Sequence, residues 1–462
     1  MSARHFRKVA ALALVTTVGL SVAACSSSKA PATVNGVTTI SVDCAPLKTD
    51  GKGLALPQWN ADVKAFEKIH PDIHIESISV GTNCDTAADF AARIQAGSEA
   101  DVFMGYMTDA QAVLNAGQAA DITKYVTAQS IPGWNDMIPG IKTPFTVDGK
   151  LYGIPYSAYT MGLVYNTDIF KAAGLDPTKP PTTWPEVIAD AKTITQKTGK
   201  AGYSDYSAGG QGGWHNVAEL YSQGSGPVSA DGKTATVNTP QELQVLQNLH
   251  QMAVADKSMG SKQLLTWPDL LTNAAAGKVG MFIGAPDTIT SISNQFSGTF
   301  GPWAMSPMPG QSGPGAGTLA GGDGYFFNSH DTPAQIKAGI AWVNYEKLTP
   351  GIGQLNYVSA KADGNVVGLS EPQIFTPGST EDKADQKNKA ASANVTISNY
   401  TLFNNNPIKS VIEPPDAQAV YGVLDGLMAA AVTQTNPNFQ SLIAKAQSDV
   451  QSQLDTYWKT AG

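Results

Sequence analysis

Val37–Val42 (VTTISV) alternates apolar and polar residues as a half-buried strand does. Trp59, Val63 and Phe66 then share one helical face, which Pro71 closes. Ile73, Ile75 and Ile78 read as a second strand. Phe90, Ala91 and Ile94 form a second helical face ended by Gly97, and Asp101-Val102-Phe103-Met104 reads as a buried strand. This alternation constrains the chain more than any other feature. Strands separated by helix-length crossovers run parallel, with the helices packed on the sheet, which is an α/β fold. At 462 residues the chain exceeds what one core supports, so two or three lobes are expected.

The first residues do not belong to that fold. Arg4, Arg7 and Lys8 make a basic start, Val9–Val22 is apolar and small, and Val22-Ala23-Ala24-Cys25 follows. That order is a signal peptide over residues 1–24, too short for a confident membrane span. Its end resembles the bacterial lipobox, in which the cysteine is acylated and anchors the protein to the outer face of the cell membrane. Residues 25–36 then comprise the lipidated Cys25 and a polar, flexible tether. In an exported chain the remaining pair, Cys44 and Cys84, is expected to form a disulfide; two buried thiols are the alternative. Closing that ~40-residue loop is worth up to about 4 kcal/mol in the loop-entropy treatment. Without the three basic residues of the signal, 27 basic side chains face 38 acidic ones, a net charge of −11. That balance excludes nucleic acid as a partner.

Three helix starts carry one signature: Thr183-Trp184-Pro185-Glu186, Thr239-Pro240-Gln241-Glu242 and Thr332-Pro333-Ala334-Gln335. In each, threonine accepts from an orphan N–H and Glu or Gln reaches back, a capping box. Val228–Val237 reads as a hairpin turning at Asp231-Gly232. Lys278–Ile283, Trp303–Met308 and Tyr325–Phe327 read as strands, and Phe439 to Tyr457 as a helix with one apolar stripe. Glu371–Asn394 is polar and the least patterned segment. In Asp148–Leu175, two strand-length apolar runs flank Ser157-Ala158-Tyr159-Thr160. These runs are either paired strands of one domain or a crossing between two lobes, where a few residues absorb a hinge motion.

Motifs for zinc proteases, nucleophile-elbow hydrolases and phosphate loops are absent from the sequence. His70 and His74 have metal-ligand spacing, but Pro71 between them ends the helix, so two surface histidines is the reading and no metal or cofactor is expected. Aromatic and polar residues instead gather at element ends: Tyr106, Thr108 and Asp109 after one strand, Trp214 and His215 after a Gly-rich run, Asp287 after another strand, and Gly322-Asp323 before one. In open α/β sheets ligands bind beyond the strand ends, where aromatics stack on sugar faces and Asp, Asn and His bind hydroxyls. Each residue has a plainer role open to it. Trp214 could be a core aromatic, His215 a partnered histidine, Asp287 an N-cap and Asp323 a turn residue; Trp303 and Trp342 fit the core. A glycosidase carboxylate pair is the enzymatic alternative.

Set in order, VAAC, FEKIHPDIHI, EADVFMGY, GKLYGIPYSAYTMGLVYNTDIFKAAGL, PTTWPEV, AAAGKVGMFIGAPD, FGPWAMSPMPG and AGGDGYFFNSHDTPAQIKAGIAWVNY resemble extracellular solute-binding proteins of the maltose-binding-protein-like group, the capture components of carbohydrate ABC transporters. The resemblance covers nearly the whole mature chain. It implies a non-enzymatic α/β, periplasmic-binding-protein-like fold of two lobes, each a mixed sheet flanked by helices, with a cleft between them. Lobe 1 would comprise residues 37–157 plus 320–394, and lobe 2 residues 158–319 plus 395–462. Crossings would fall at Ser157–Thr160, near Leu319–Gly321 and past Tyr357. The implied ligand contacts are Tyr106, Thr108, Asp109, Tyr159, Trp214, His215, Asp287, Gly322, Asp323 and, from EPPDAQAVYG, Tyr421. Where the family often shows G-x-W, this chain has Gly284-Ala285-Pro286-Asp287, so an expected stacking tryptophan is absent and a hydrogen-bonding contact is implied instead. The implied partners are a small solute, a sugar or oligosaccharide with a polyamine or peptide as the runner-up, and ABC permease subunits. The protein is expected to act as a monomer tethered to the membrane through Cys25.

Overall fold

The computed structural model describes residues 32–79 and 87–460. The signal peptide, Cys25 and Cys84 lie outside the described residues. Among the described residues no helix is long and apolar enough to cross a membrane.

The alternation read from the sequence is present. β1 (Val37–Ala45) leads to α1 (Ala55–Ile69), β2 (Ile73–Ser79), α2 (Ala87–Ala96) and β3 (Val102–Tyr106). β1 pairs parallel with both β2 and β3. The β1–β3 contact is clamped by side chains: Asp101 accepts from Ser41 N at 2.7 Å, and the buried Asp43 accepts from Met104 N at 3.0 Å. Thr33–Val34, β4 (Gly153–Thr160), β9 (Thr318–Phe327) and β10 (Ser410–Ile412) complete a seven-stranded mixed sheet. Among the described residues β4 pairs only with β9, at the sheet's margin, which is where Pro155 can sit without costing a ladder bond.

A second, four-stranded sheet has the order β8 (Trp303–Pro307), β5 (Gly162–Asn166), β7 (Val279–Gly284), β6 (Ala201–Tyr203). Its two faces are both buried. Leu163, Tyr165, Met281, Ile283 and Ala304 point into one apolar cluster, while Val164, Phe282, Trp303 and Met305 point into another. Strict alternation of strand side chains produces that division. The first sheet has its own cluster around Phe103, Phe326 and Trp342, with Trp59 edge-on to Trp342 at 5.3 Å. Both Trp303 and Trp342 are therefore core residues.

The helix starts follow the capping argument with one exception. Thr183 and Thr332 complete their boxes on α5 (Trp184–Thr198) and α10 (Pro333–Val343). Thr239 accepts from Glu242 N on α7 (Pro240–His250), but Glu242 does not reach back. It is buried and accepts from Asn216 Nδ2 at 2.9 Å instead, so a core hydrogen bond outcompetes the cap. Thr266 and Asp269 make a further box on α8 (Trp267–Ala275). The predicted hairpin reduces to a single bridge, Val228 with Ala235, around the Asp231-Gly232 turn. Glu371–Asn394, the least patterned segment, holds α11 (Thr380–Ser392), capped by Ser379. α11's weak apolar pattern hid it, because its buried positions are Asp385, Lys389 and Ser392.

Candidate functional site

β4 belongs to the seven-stranded sheet and β5 to the four-stranded one, with Met161 between them. β9 makes the same passage in reverse. Leu319, at its start, packs in the core that holds Leu163, and Tyr325, near its end, packs in the core that holds Phe103. β4 and β9 lie side by side there, Tyr159 opposite Gly321, Ala158 opposite Gly322 and Ser157 opposite Asp323. The ambiguous pair of strands in the sequence is thus a double connection between two cores.

Strand alternation puts Ser157 and Tyr159 on one face of this connection and Ala158 and Thr160 on the other. On the first face Ser157 Oγ donates to Asp323 Oδ2 at 2.6 Å. A Cβ added at Gly321 would lie 2.5 Å from the Tyr159 hydroxyl and 2.8 Å from Glu413 Oε2. Glycine at 321 therefore lets the tyrosine ring lie across β9 beside a carboxylate. Gly322 has the same need, since a Cβ would lie 2.2 Å from Ser157 O. Gly321, Gly322 and Asp323 sit inside β9, so the reading of Asp323 as a turn residue before a strand is corrected: close β4–β9 packing, and not a turn, requires the glycines. On the opposite face, Thr160 and Met161 line a separate cavity of about 700 Å³ with Gln373, Phe403 and Ile408.

Trp214 faces Tyr159 edge-on at 6.3 Å and stacks parallel on Tyr206 at 6.3 Å. It is half-buried, on the first turn of α6 (Gln211–Ser222). The Gly-rich run before it allows close helix packing. Asp425, on α12 (Ala417–Thr433), accepts from Gly210 N and Gly213 N, and a Cβ at Gly213 would lie 2.0 Å from Tyr421 O. His215 is placed away from the cleft. It is 0% exposed, its Nδ1 is paired with Asp205, and its ring lies 4.1 Å from that of Tyr206. This corrects its assignment as a ligand contact: at neighbouring helix positions, Trp214 faces out and His215 faces the core. Tyr421 is also buried and reaches the site only through its hydroxyl, which donates to Glu413 Oε1 at 2.8 Å.

Asp287 lies on α9 (Pro286–Asn294), but Ala285 is the N-cap and Pro286 the first helical residue. The capping alternative is therefore corrected; Asp287 is a first-turn residue whose side chain is exposed. Desolvation raises its pKa to about 6, with the charge of Asp323 adding to the rise. Asp323 is likewise raised to about 6, mainly by burial, despite the Ser157 hydrogen bond that opposes it. Burial raises Glu413 to about 7, against the Tyr421 hydrogen bond. Glu371 is pushed well up by burial and then by Asp287 and Asp323. Asp287, Asp323 and Glu413, from distant points in the sequence, thus gather near Tyr159, and Glu371 joins them through Asp287 and Asp323.

Glu371 and Glu413 were not singled out from the sequence. Proximity across residues 287, 323, 371 and 413 leaves no trace in spacing. The only local signal is proline: Glu371 precedes Pro372 and Glu413 precedes Pro414, and a residue before proline is held extended. Tyr106 is 37% exposed at the end of β3. Asp109 Oδ2 accepts from Tyr106 N at 2.9 Å. Thr108 and Asp109 line a cavity of about 440 Å³ together with Asp416, Ala417 and Tyr457. Among the described residues no cluster of His, Cys, Asp and Glu has the geometry to hold a metal ion.

Residues 53–345 match the family of bacterial extracellular solute-binding proteins. The chain belongs to that family. Its members bind solutes and are not enzymes. A binding protein of Brucella abortus (strain 2308) is 28% identical over 250 residues, 52% of this chain and 56% of the relative; the chain thus spans about half the length of the relatives it matches. The sn-glycerol-3-phosphate-binding periplasmic protein UgpB of the same strain is 32% identical over 135 residues, 29% of this chain and 25% of that one. Among solved structures, the cyclic alpha-maltosyl-1,6-maltose binding protein of Arthrobacter globiformis superimposes with a TM-score of 0.66 at 19% identity, covering 91% of this chain and 100% of that one. The GacH receptor of Streptomyces glaucescens GLA.O gives 0.67 at 18% identity, covering 91% and 99%. The fold is that of the two-lobed periplasmic binding proteins.

Proposed function

We propose that the protein is the lipid-anchored capture component of an ABC importer and closes residues 37–157 plus 320–394 against 158–319 plus 395–462 around a sugar or oligosaccharide. The observation that carries this reading is the β4–β9 connection, with Tyr159 on its floor between two separate cores and Trp214 edge-on to it. An aromatic pair with hydrogen-bonding groups beside it suits a sugar ring, whose C–H face stacks while its hydroxyls bond. A ligand touching both lobes binds the closed state better and so shifts the population toward it. Carbohydrate is supported by similar folds that bind cyclic alpha-maltosyl-1,6-maltose and acarbose. A glycerol phosphate, the ligand in the name of one relative, fits less well, because the groups around Tyr159 are acidic.

Cys25 would carry the lipid, Cys44 and Cys84 a disulfide stapling the rim of lobe 1, and the closed monomer would be handed to permease subunits. A thermal-shift screen of the protein against mono- and oligosaccharides, polyamines and phospho-sugars tests the reading, since a bound solute stabilises by RT ln(1 + [L]/Kd). A shift with carbohydrate is expected. Absence of any shift across the screen would count against solute capture.

A further inference from the structure

Asp287 is not the only carboxylate near Tyr159. Asp287 comes from the first turn of α9, Asp323 from β9, Glu371 from the segment before α11, and Glu413 from the turn after β10. Asp109, from the start of α3 (Ala110–Asn115), adds its charge to Asp323 and Glu413. The cations within electrostatic reach of this group are Lys347 and Lys389. Both are committed elsewhere. Lys389 pairs with Asp385 at 3.2 Å and lies over the Tyr357 ring; Lys347 lies 3.8 Å from Glu346 and over the Tyr156 ring.

A second observation points to something missing from the centre of this group. Glu371 Oε1 is buried and has no hydrogen-bond partner; its carboxylate feels the charges of Asp287 and Asp323, opposed by Lys389 and by the backbone N–H of Asp287. A buried acceptor left open is costly unless a ligand supplies the donor. The open faces of Tyr159 and Trp214 are the type of surface on which organic cations rest.

We infer that the solute carries a protonated amine, which sits among Asp287, Asp323, Glu371 and Glu413 against the Tyr159–Trp214 pair. The inference rests on the proposed solute-capture reading and narrows its ligand class to amine-bearing sugars or polyamines. It also gives the empty cleft a physical reason to stay open. Closure without a ligand brings like charges together, and the ammonium group reverses the sign of that interaction.

Titration calorimetry of the protein with D-glucosamine and its β-1,4 disaccharide, D-glucose and maltose, and putrescine tests this at pH 7.5 and 5.5. The amine-bearing ligands are expected to bind at least ~10-fold tighter than the neutral ones at pH 7.5, and to lose most of that advantage at pH 5.5 as the carboxylates take up protons. Preference for the amino sugars over putrescine would assign the amine to a sugar, and the converse to a polyamine. Asp287→Asn and Glu413→Gln should each shrink the amine preference while raising the melting temperature of the empty protein, because each removes one repelling charge. Neutral sugars binding as tightly as their amino counterparts would overturn the inference and leave solute capture standing. No binding by any of the ligands at millimolar concentration would overturn both.

Discussion

Two groups of carboxylates lie close together in this molecule and behave oppositely. Asp205, Glu219 and Glu242 are sealed in the interior, each at most 2% exposed. Asp287, Asp323 and Glu413 lie near Tyr159, with Glu371 beside the first two, where solvent can reach all four residues. The sealed acids are joined by internal donors: His215 Nδ1 and the Tyr203 hydroxyl reach Asp205, the same hydroxyl reaches Glu219 at 3.0 Å, and Asn216 reaches Glu242 at 2.9 Å. Burial raises Glu242 to about 7 and Glu219 well above its ordinary range. Each group keeps one buried acceptor without a partner, Glu242 Oε2 in the first and Glu371 Oε1 in the second. Trp214 and His215, adjacent in sequence, separate the two groups. The comparison teaches that neither raised pKa nor an unpartnered acceptor identifies a binding site; carboxylates that solvent can reach beside an aromatic floor do.

The largest expected effect is on the sealed side. His215→Ala leaves the buried Asp205 without the imidazole it is paired with and opens a cavity, so a loss of about 3–5 kcal/mol in denaturant unfolding is expected. Little loss would make the histidine a bystander. Next is Gly213→Ala, whose new methyl would strike the Tyr421 backbone and force α6 off α12. Destabilisation of about 1–3 kcal/mol is expected, accompanied by weaker solute binding because Trp214 moves with the helix. Trp214→Ala should weaken solute binding by roughly tenfold or more, about 1.4 kcal/mol, with the folded state retained. Collapse of the fold instead would mean that Trp214 is core after all.

The pH dependence sharpens the contrast further. Asp287 and Asp323 sit at about 6 and Glu413 at about 7 in the folded protein, above their unfolded values near 4. The folded state therefore holds more protons than the unfolded one between those values, and stability falls as pH rises through 6 to 7. Thermal melts of the empty protein should show a higher melting temperature at pH 5 than at pH 8, and saturating ligand should reduce that slope. The smallest effect concerns helix caps. Thr183→Ala breaks a complete box on α5 and should cost about 1 kcal/mol, whereas Thr239→Ala breaks a half-made one and should cost less.

The fold was largely legible because each clue was local. Period-2 and period-3.6 runs gave the strands and helices, and proline and glycine marked their ends. The elements misjudged were those whose structure depends on distant partners. α11 buries Asp385 and Lys389 as a pair, so its face does not read as apolar. Glu242 abandons a capping box for Asn216. The site was half legible for the same reason. Tyr159, Trp214, Asp287 and Asp323 sit at element ends or glycine clusters that the sequence displays. Glu371 and Glu413 join them only because three separate returns of the chain meet at β9, and His215 is turned inward by packing that single-residue chemistry does not record.

The most direct test is a structure of the protein with whichever solute of the screen stabilises it most. Density is expected between Tyr159, Trp214 and Asp287, with a ligand donor on Glu371 Oε1. Density in the 700 Å³ cavity behind the crossing, beside Thr160 and Gln373, with the Tyr159 face empty, would contradict the assignment of the site.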